Sequence, residues 1–150
     1  MEELKKPKMR QSRVLQKFRA GNVANCFNVH FDAQVTDIAG MAGYDCVWID
    51  FEHMAQDWSS LQMHIWAAKG NDMDVMVRVP RGSYSDYIKP FELDAAGILV
   101  PQVMGMEDAR KVVQMTRFHP TGRRPVDGGN ADAGYATMDL ANYISQANRQ

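Results

Sequence analysis

An α/β fold built from parallel βα repeats is predicted by three features of this 150-residue chain. Four apolar, β-prone stretches begin near residues 24, 46, 74 and 97, a spacing that leaves room for one helix between each pair. A helical pattern does fill each gap. The stretches are apolar throughout rather than alternating, as expected of strands covered on both faces. Such units imply right-handed crossovers between parallel strands. Two architectures satisfy them: an open doubly wound sheet, or part of a (β/α)8 barrel.

The elements follow in order. Residues 2–18 are basic and polar, with a weak helical pattern in Val14, Leu15 and Phe18, and Gly21 suits the position just past a short helix. Residues 1–22 thus form an N-terminal helix or arm, and residues 23–118 four βα units. The first strand spans 24–29, and its helix runs from about Ala33 to Met41, stopped by Gly43. The second strand spans 46–51. Asp57 is a good N-cap for the helix that runs to Lys69 and Gly70. The third strand spans 74–80. Ser83 with Asp86 three residues on is a capping-box variant opening the helix of Tyr87, Ile88, Phe91 and Leu93. The fourth strand spans 97–103, and its helix covers about 107–117 with Ala109, Val112, Val113 and Met115 on its apolar side. Residues 119–150 are a Gly-, Pro- and Asn-rich loop and a last helix from about Asp139.

Bulk properties narrow the function. A 45% hydrophobic and 23% charged composition is ordinary for a soluble domain. The net charge of −1 steers the chain neither to nucleic acid nor to an anionic membrane. No apolar run approaches a membrane span, and the charged start, residues 1–8, has no secretory apolar region. Cys26 and Cys46 fall in strands expected to be buried, so both are expected as free thiols in a reducing cytoplasm. The eleven Met residues read as core filler. There is no dinucleotide fingerprint, Walker A, CxxC or HExxH sequence.

Ionisable residues collect at the strand ends. The first strand leads to His30 and Asp32, the second to Asp50, Glu52 and His53; the third carries Arg78 and the fourth Gln102. By strand alternation Trp48 shares a face with Asp50, Met76 with Arg78, and Val100 with Gln102. If those faces meet, Asp50, Arg78 and Gln102 converge where barrel enzymes place catalytic groups. Structural alternatives stand beside each: a buried Asp50–Arg78 ion pair, a solvent-facing His53, a Gln102 that satisfies loop backbone, and a Glu52 that fixes its turn. His64 and His119 are expected on the surface. The run Gly122-Arg123-Arg124 with Gly128-Gly129 reads either as an anion cradle or as a turn-rich loop.

Asp50-Phe51-Glu52-His53 after an apolar strand resembles the Asp-x-Glu-His signature of the HpcH/HpaI aldolase family. Val77-Arg78-Val79-Pro80, Ile98-Leu99-Val100-Pro101, and Arg117-Phe118-His119-Pro120 with Gly122 and Arg124 resemble further segments of it in the same order. Asp127-Gly128-Gly129-Asn130-Ala131-Asp132 has counterparts in one branch, whereas Pro125 departs from the usual Gly. The resemblance implies a (β/α)8 barrel and a divalent-metal aldolase using Mg2+, Mn2+ or Co2+, with pyruvate or a similar 2-oxo acid as donor. It implies His53 as base held by Asp50 and Arg78 as stabiliser of the enolate oxygen; taken with the strand-end reading, Arg78, Gln102 and Arg124 are expected to bind substrate. It also implies a homo-oligomer acting on a small 2-oxo acid and an aldehyde.

The family's metal-binding carboxylates belong to later strands, so none is assigned in these 150 residues. Four units make about half of a barrel that takes about 250 residues. We therefore expect a fragment of a longer coding sequence, nearly inactive alone, with an inward apolar layer of Phe27, Trp48, Met76 and Val100 exposed. Two competing readings are a non-catalytic half-barrel that dimerises or serves as a binding module, and an open flavodoxin-like sheet.

Overall fold

The computed structural model describes residues 7–30 and 32–150. The part of the expected N-terminal helix before Pro7 lies outside the described residues. A helix, α1 (Arg13–Arg19), precedes four alternating units: β1 (Cys26–Val29), α2 (Ala33–Met41), β2 (Cys46–Asp50), α3 (Trp58–Gly70), β3 (Asp74–Arg78), α4 (Tyr84–Glu92), β4 (Gly97–Leu99) and α5 (Met106–Thr116). A long loop then leads to α6 (Leu140–Ala147).

Local chemistry sets the boundaries. Asp32, Asp57 and Asp139 each accept a backbone N–H of the helix they open. Ser83 and Asp86 form the reciprocal capping box. Gly43, at φ +88°, lies just past the C-cap Ala42 of α2 in a conformation that favours glycine.

The four strands pair in parallel in the order β1-β2-β3-β4. This sequential winding matches one side of a barrel. A doubly wound sheet would reverse its strand order, so the flavodoxin-like alternative is set aside.

Register decides which residue faces where. Val47, Ile49, Val75 and Val77 turn toward the helices and are at most 3% exposed. They meet Leu61, Ile65 and Ala68 of α3 in one core with Ala39, Tyr87 and Ala95. Burying a Leu or Ile side chain contributes roughly 1.5–3 kcal/mol. The opposite, concave face carries Trp48, Asp50, Met76, Arg78, Gly97 and Leu99. At Gly97 an added Cβ would meet the Met76 Cε at 2.6 Å, so the missing side chain leaves room for the end of Met76 on the neighbouring strand.

Several expectations need correction here. Phe27 is paired with Val47, so it lies on the helix side and packs on Tyr44 at 5.3 Å; the concave residue of β1 is Asn28. Val100 likewise falls on the helix side, because Leu99 is the partner of Arg78. Cys26 is exposed on the edge strand while Cys46 is buried one strand in. Met41, Met54, Met63, Met104 and Met106 are exposed, so core filling describes only part of the methionines.

His64 is fully buried rather than on the surface, with Nδ1 2.7 Å from Thr36 Oγ1. Leu61, His64, Ile65 and Ala68 form one i, i+3, i+4, i+7 stripe, and that stripe faces the sheet.

Two fully buried aspartates tie α1 to the starting ends of the strands. Asp45 accepts from Arg13 Nε at 2.8 Å, Lys17 Nζ at 2.6 Å and the Asn25 backbone N–H at 2.8 Å. Asp74 accepts from Ser12 Oγ at 2.6 Å, the Val14 N–H at 2.9 Å and Arg10. Each buried carboxylate is thus compensated by several donors.

Candidate active site

At the carboxyl ends of the strands, β2 finishes on Asp50 and β3 on Arg78, which are direct partners across the sheet. Arg78 Nε donates to Asp50 Oδ1 at 2.9 Å, and Arg78 Nη2 donates to Oδ2. Asp50 is 2% exposed. Its Oδ1 also accepts the backbone N–H groups of Glu52 at 2.9 Å and His53 at 3.2 Å. The neighbouring guanidinium holds the Asp50 carboxyl down at about 2; burial opposes this and the two backbone donors assist it. The same pairing raises Arg78 above its ordinary value.

This arrangement fixes the turn that carries Glu52 and His53. Among the described residues Arg78 Nη1 makes no hydrogen bond, so the outer edge of the fork remains available to a ligand. The Trp48 indole covers the guanidinium face, with Cζ 4.9 Å from the ring centroid.

Glu52 stands between the two other functional groups. Its Oε2 is 3.4 Å from Arg78 Nε and 3.5 Å from His53 Nε2. The His53 side chain is 68% exposed at the rim. Asp50 therefore holds His53 through its backbone, whereas the carboxylate beside the imidazole is that of Glu52. The family resemblance implies instead that Asp50 holds the base directly. Four donors already occupy the Asp50 oxygens, which accounts for the difference.

Gln102 does not join this group. β4 ends at Leu99, and Gln102 has φ +51°, so strand alternation does not extend to it. Its carbonyl accepts from Arg81 Nη1 at 2.6 Å, and the residue lines a separate cavity of about 330 Å3 with Arg81, Tyr87 and Lys111.

Arg124 lies at the opposite end of the sheet. It donates to Glu92 Oε1 from Nε at 3.0 Å and from Nη2 at 2.7 Å, and its guanidinium lies 4.4 Å from the Phe118 ring centroid. Glu92 closes α4, which returns antiparallel to the strands and so ends beside their starting edge. Arg124 is 8% exposed and borders a cavity of about 380 Å3 shared with α1, Asp74 and Gly97. Its expected place at the substrate mouth is therefore corrected: it is a structural cation holding the long loop to α4. The paired glycines of that loop are likewise remote from Asp50. Gly128 has φ +75° in a turn whose carbonyl accepts from Ala136 N at 2.8 Å.

His30 is exposed just past β1, and Asp32 is committed to capping α2. His119 is exposed in the loop after α5, as expected. Among the described residues no three His, Cys, Asp or Glu side chains gather as a metal cage. The oxygens of Asp50 are already taken by four donors.

The arrangement offers an ionisable imidazole at the rim, a carboxylate beside it, and a fixed guanidinium with one free edge. Together these can move a proton and stabilise an oxyanion.

Residues 24–144 match the family model for HpcH/HpaI aldolase/citrate lyase. The hydroxypyruvate/pyruvate aldolase of Roseobacter denitrificans is 33% identical over 126 residues, covering 83% of this chain and 48% of that protein. The 5-keto-4-deoxy-D-glucarate aldolase of Salmonella paratyphi A is 28% identical over 138 residues, covering 89% and 53%. The crystal structure of an HpcH/HpaI aldolase from Desulfitobacterium hafniense DCB-2 superposes with a TM-score of 0.85 at 22% identity. That match covers 92% of this chain and 54% of the other, a likeness of fold: about half of a TIM-barrel-like enzyme. The chain spans about half the length of the curated relatives it matches.

Proposed function

The chain belongs to the HpcH/HpaI aldolase/citrate lyase family, and from that premise we propose that it supplies the base and the enolate-binding half of a carbon–carbon lyase acting on 2-oxo-acid aldols. The Asp50–Arg78 pair at the strand ends carries this reading. It presents a guanidinium edge where a planar 2-oxo acid, with pyruvate as the donor, can be gripped by two oxygens. Aldolases among the relatives support the reaction class.

The steps follow from the residues. His53 accepts the proton of the substrate hydroxyl, that oxygen becomes the aldehyde carbonyl, and the adjacent carbon–carbon bond breaks. The bonding electron pair passes to the 2-oxo group as an enolate, whose oxygen meets the free Nη1 edge of Arg78. Protonation of the enolate carbon releases the 2-oxo acid. Asp50 fixes the plane of the guanidinium and the His53 backbone, and Glu52 is the carboxylate beside the imidazole. A divalent cation, Mg2+, Mn2+ or Co2+, is proposed for the whole protein, where it would add positive charge at the enolate; no step above passes through it. A cytoplasmic homo-oligomer acting on small molecules completes the proposal.

Pyruvate release from a 4-hydroxy-2-oxo acid, followed by a lactate dehydrogenase couple with Mg2+ or Mn2+ present, tests it in the whole protein. His53→Ala should lose about 10²- to 10⁴-fold in rate, the span of a general base. An unchanged rate would remove His53 from the role, and no cleavage of any 2-oxo-acid aldol would remove the lyase.

A further inference from the structure

Arg78 is held from two directions. Asp50 grips one edge of its guanidinium, with Nε at 2.9 Å from Oδ1, and Glu52 Oε2 lies 3.4 Å from the same Nε. The Glu52 approach is an ion pair without hydrogen-bond geometry, and the two Asp50 bonds act in the guanidinium plane and leave rotation about the Arg78–Asp50 axis unopposed. The Trp48 ring opposes it. Trp48 and Asp50 lie two residues apart on β2 and share the concave face, and Trp48 is the partner of Met76, two residues before Arg78. The indole therefore lies one step below the guanidinium, with its centroid 4.9 Å from Cζ. The negative face of an indole attracts a cation and favours a flat, stacked arrangement. Trp48 has no other assigned part in the site.

We propose that Trp48 is a positioning residue: its indole face sets the plane of the Arg78 guanidinium, so that the free Nη1 edge points into the mouth toward the two oxygens of a planar 2-oxo acid. The inference rests on Arg78 holding the donor. It adds that a ring, and not merely an apolar side chain, is required at residue 48. Donors are selected accordingly: a 2-oxo carboxylate, flat at both carbons, matches the held fork, whereas a 2-hydroxy acid, with a hydroxyl on a tetrahedral carbon in place of the carbonyl acceptor, matches it less well.

The test compares ring-bearing with ring-free variants of the whole protein. In the 1H–15N spectrum of arginine side chains, the Arg78 Nε–H signal should lie upfield through the indole ring current. Trp48→Leu and Trp48→Met should abolish that displacement, and Trp48→Phe should keep part of it. For pyruvate release, kcat/KM should fall about tenfold in the ring-free variants and about threefold or less in Trp48→Phe, the scale of a desolvated cation–π contact. The loss should appear for 2-oxo-acid donors, with competitive inhibition by the matching 2-hydroxy acid unchanged.

Equal losses in Trp48→Phe and Trp48→Leu, or an Arg78 signal that does not move, would overturn the inference. Should Trp48→Leu fail to fold, Trp48→Met carries the same comparison. Arg78→Lys separates the two levels: if it leaves pyruvate binding intact, the reading of Arg78 as donor site fails, while the ring-current result still decides whether Trp48 orders the guanidinium.

Discussion

Asp50 and Arg78 occupy the last paired rung between β2 and β3, and one carboxylate there accepts both the guanidinium and the backbone N–H groups of Glu52 and His53. A single side chain thus ends the strand, shapes the turn and orders the cation.

The first prediction concerns pH. Asp50 is held at about 2 against an ordinary value of 3.8. A depressed carboxyl contributes stability that is fully present above 3.8 and is lost as pH falls through 2. The shift corresponds to about 2 kcal/mol. Acid titration of the melting temperature should show this loss in the wild-type protein, and Asp50→Asn should be less stable at neutral pH with a flatter acid limb. An identical limb in both would contradict the ion pair.

A second prediction concerns the starting end of the sheet. Asp74→Ala strands Arg10 and frees the Ser12 hydroxyl and the Val14 N–H. Breaking a buried charged group of this kind costs about 3–5 kcal/mol. Urea unfolding should show a loss of that size, accompanied by faster hydrogen exchange in α1. A loss under about 1 kcal/mol would mean that α1 docks by other contacts.

Arg124→Met removes the two bonds to Glu92 and leaves that carboxylate without its cation. Stability should fall by about 2 kcal/mol or more, whereas the affinity for pyruvate should not change. Weakened pyruvate binding in a folded Arg124→Met protein would return Arg124 to the substrate mouth.

Thiol labelling separates the cysteines. Cys26 is exposed and Cys46 buried, and the adjacent Cys26, followed by burial, pushes the Cys46 thiol well up from its ordinary value. Iodoacetamide at pH 8 should modify Cys26 much faster than Cys46. Equal rates would show that β1 opens readily from the sheet edge.

Much of the fold was readable before any coordinates. The caps Asp57 and Ser83 and the stop at Gly43 act over three or four residues, and the helices begin and end close to where these residues predict. The facing of Asp50 and Arg78 was readable too, because both lie inside regular strands where side chains alternate. Gln102 was misplaced for the complementary reason: β4 stops at Leu99, and one left-handed residue breaks the alternation. His64 had a legible signal, the stripe it shares with Leu61, Ile65 and Ala68, but its polar side chain pointed the reading outward. Asp45 and Asp74 are acidic residues placed at or just before the start of apolar strands, and the docking of α1 and the segment before it gives them most of their partners.

The sequence by itself determined the repeat of strand and helix, the ionisable residues that end the second and third strands, and the family. Each of these depends on neighbours along the chain. Tertiary structure alone decided that Asp50 grips Arg78, that Glu52 and not Asp50 stands beside the His53 ring, and that Arg124 lies at the far end of the sheet. Those outcomes depend on strand register and on helices returning antiparallel, which join residues far apart in the chain and leave no local trace in composition.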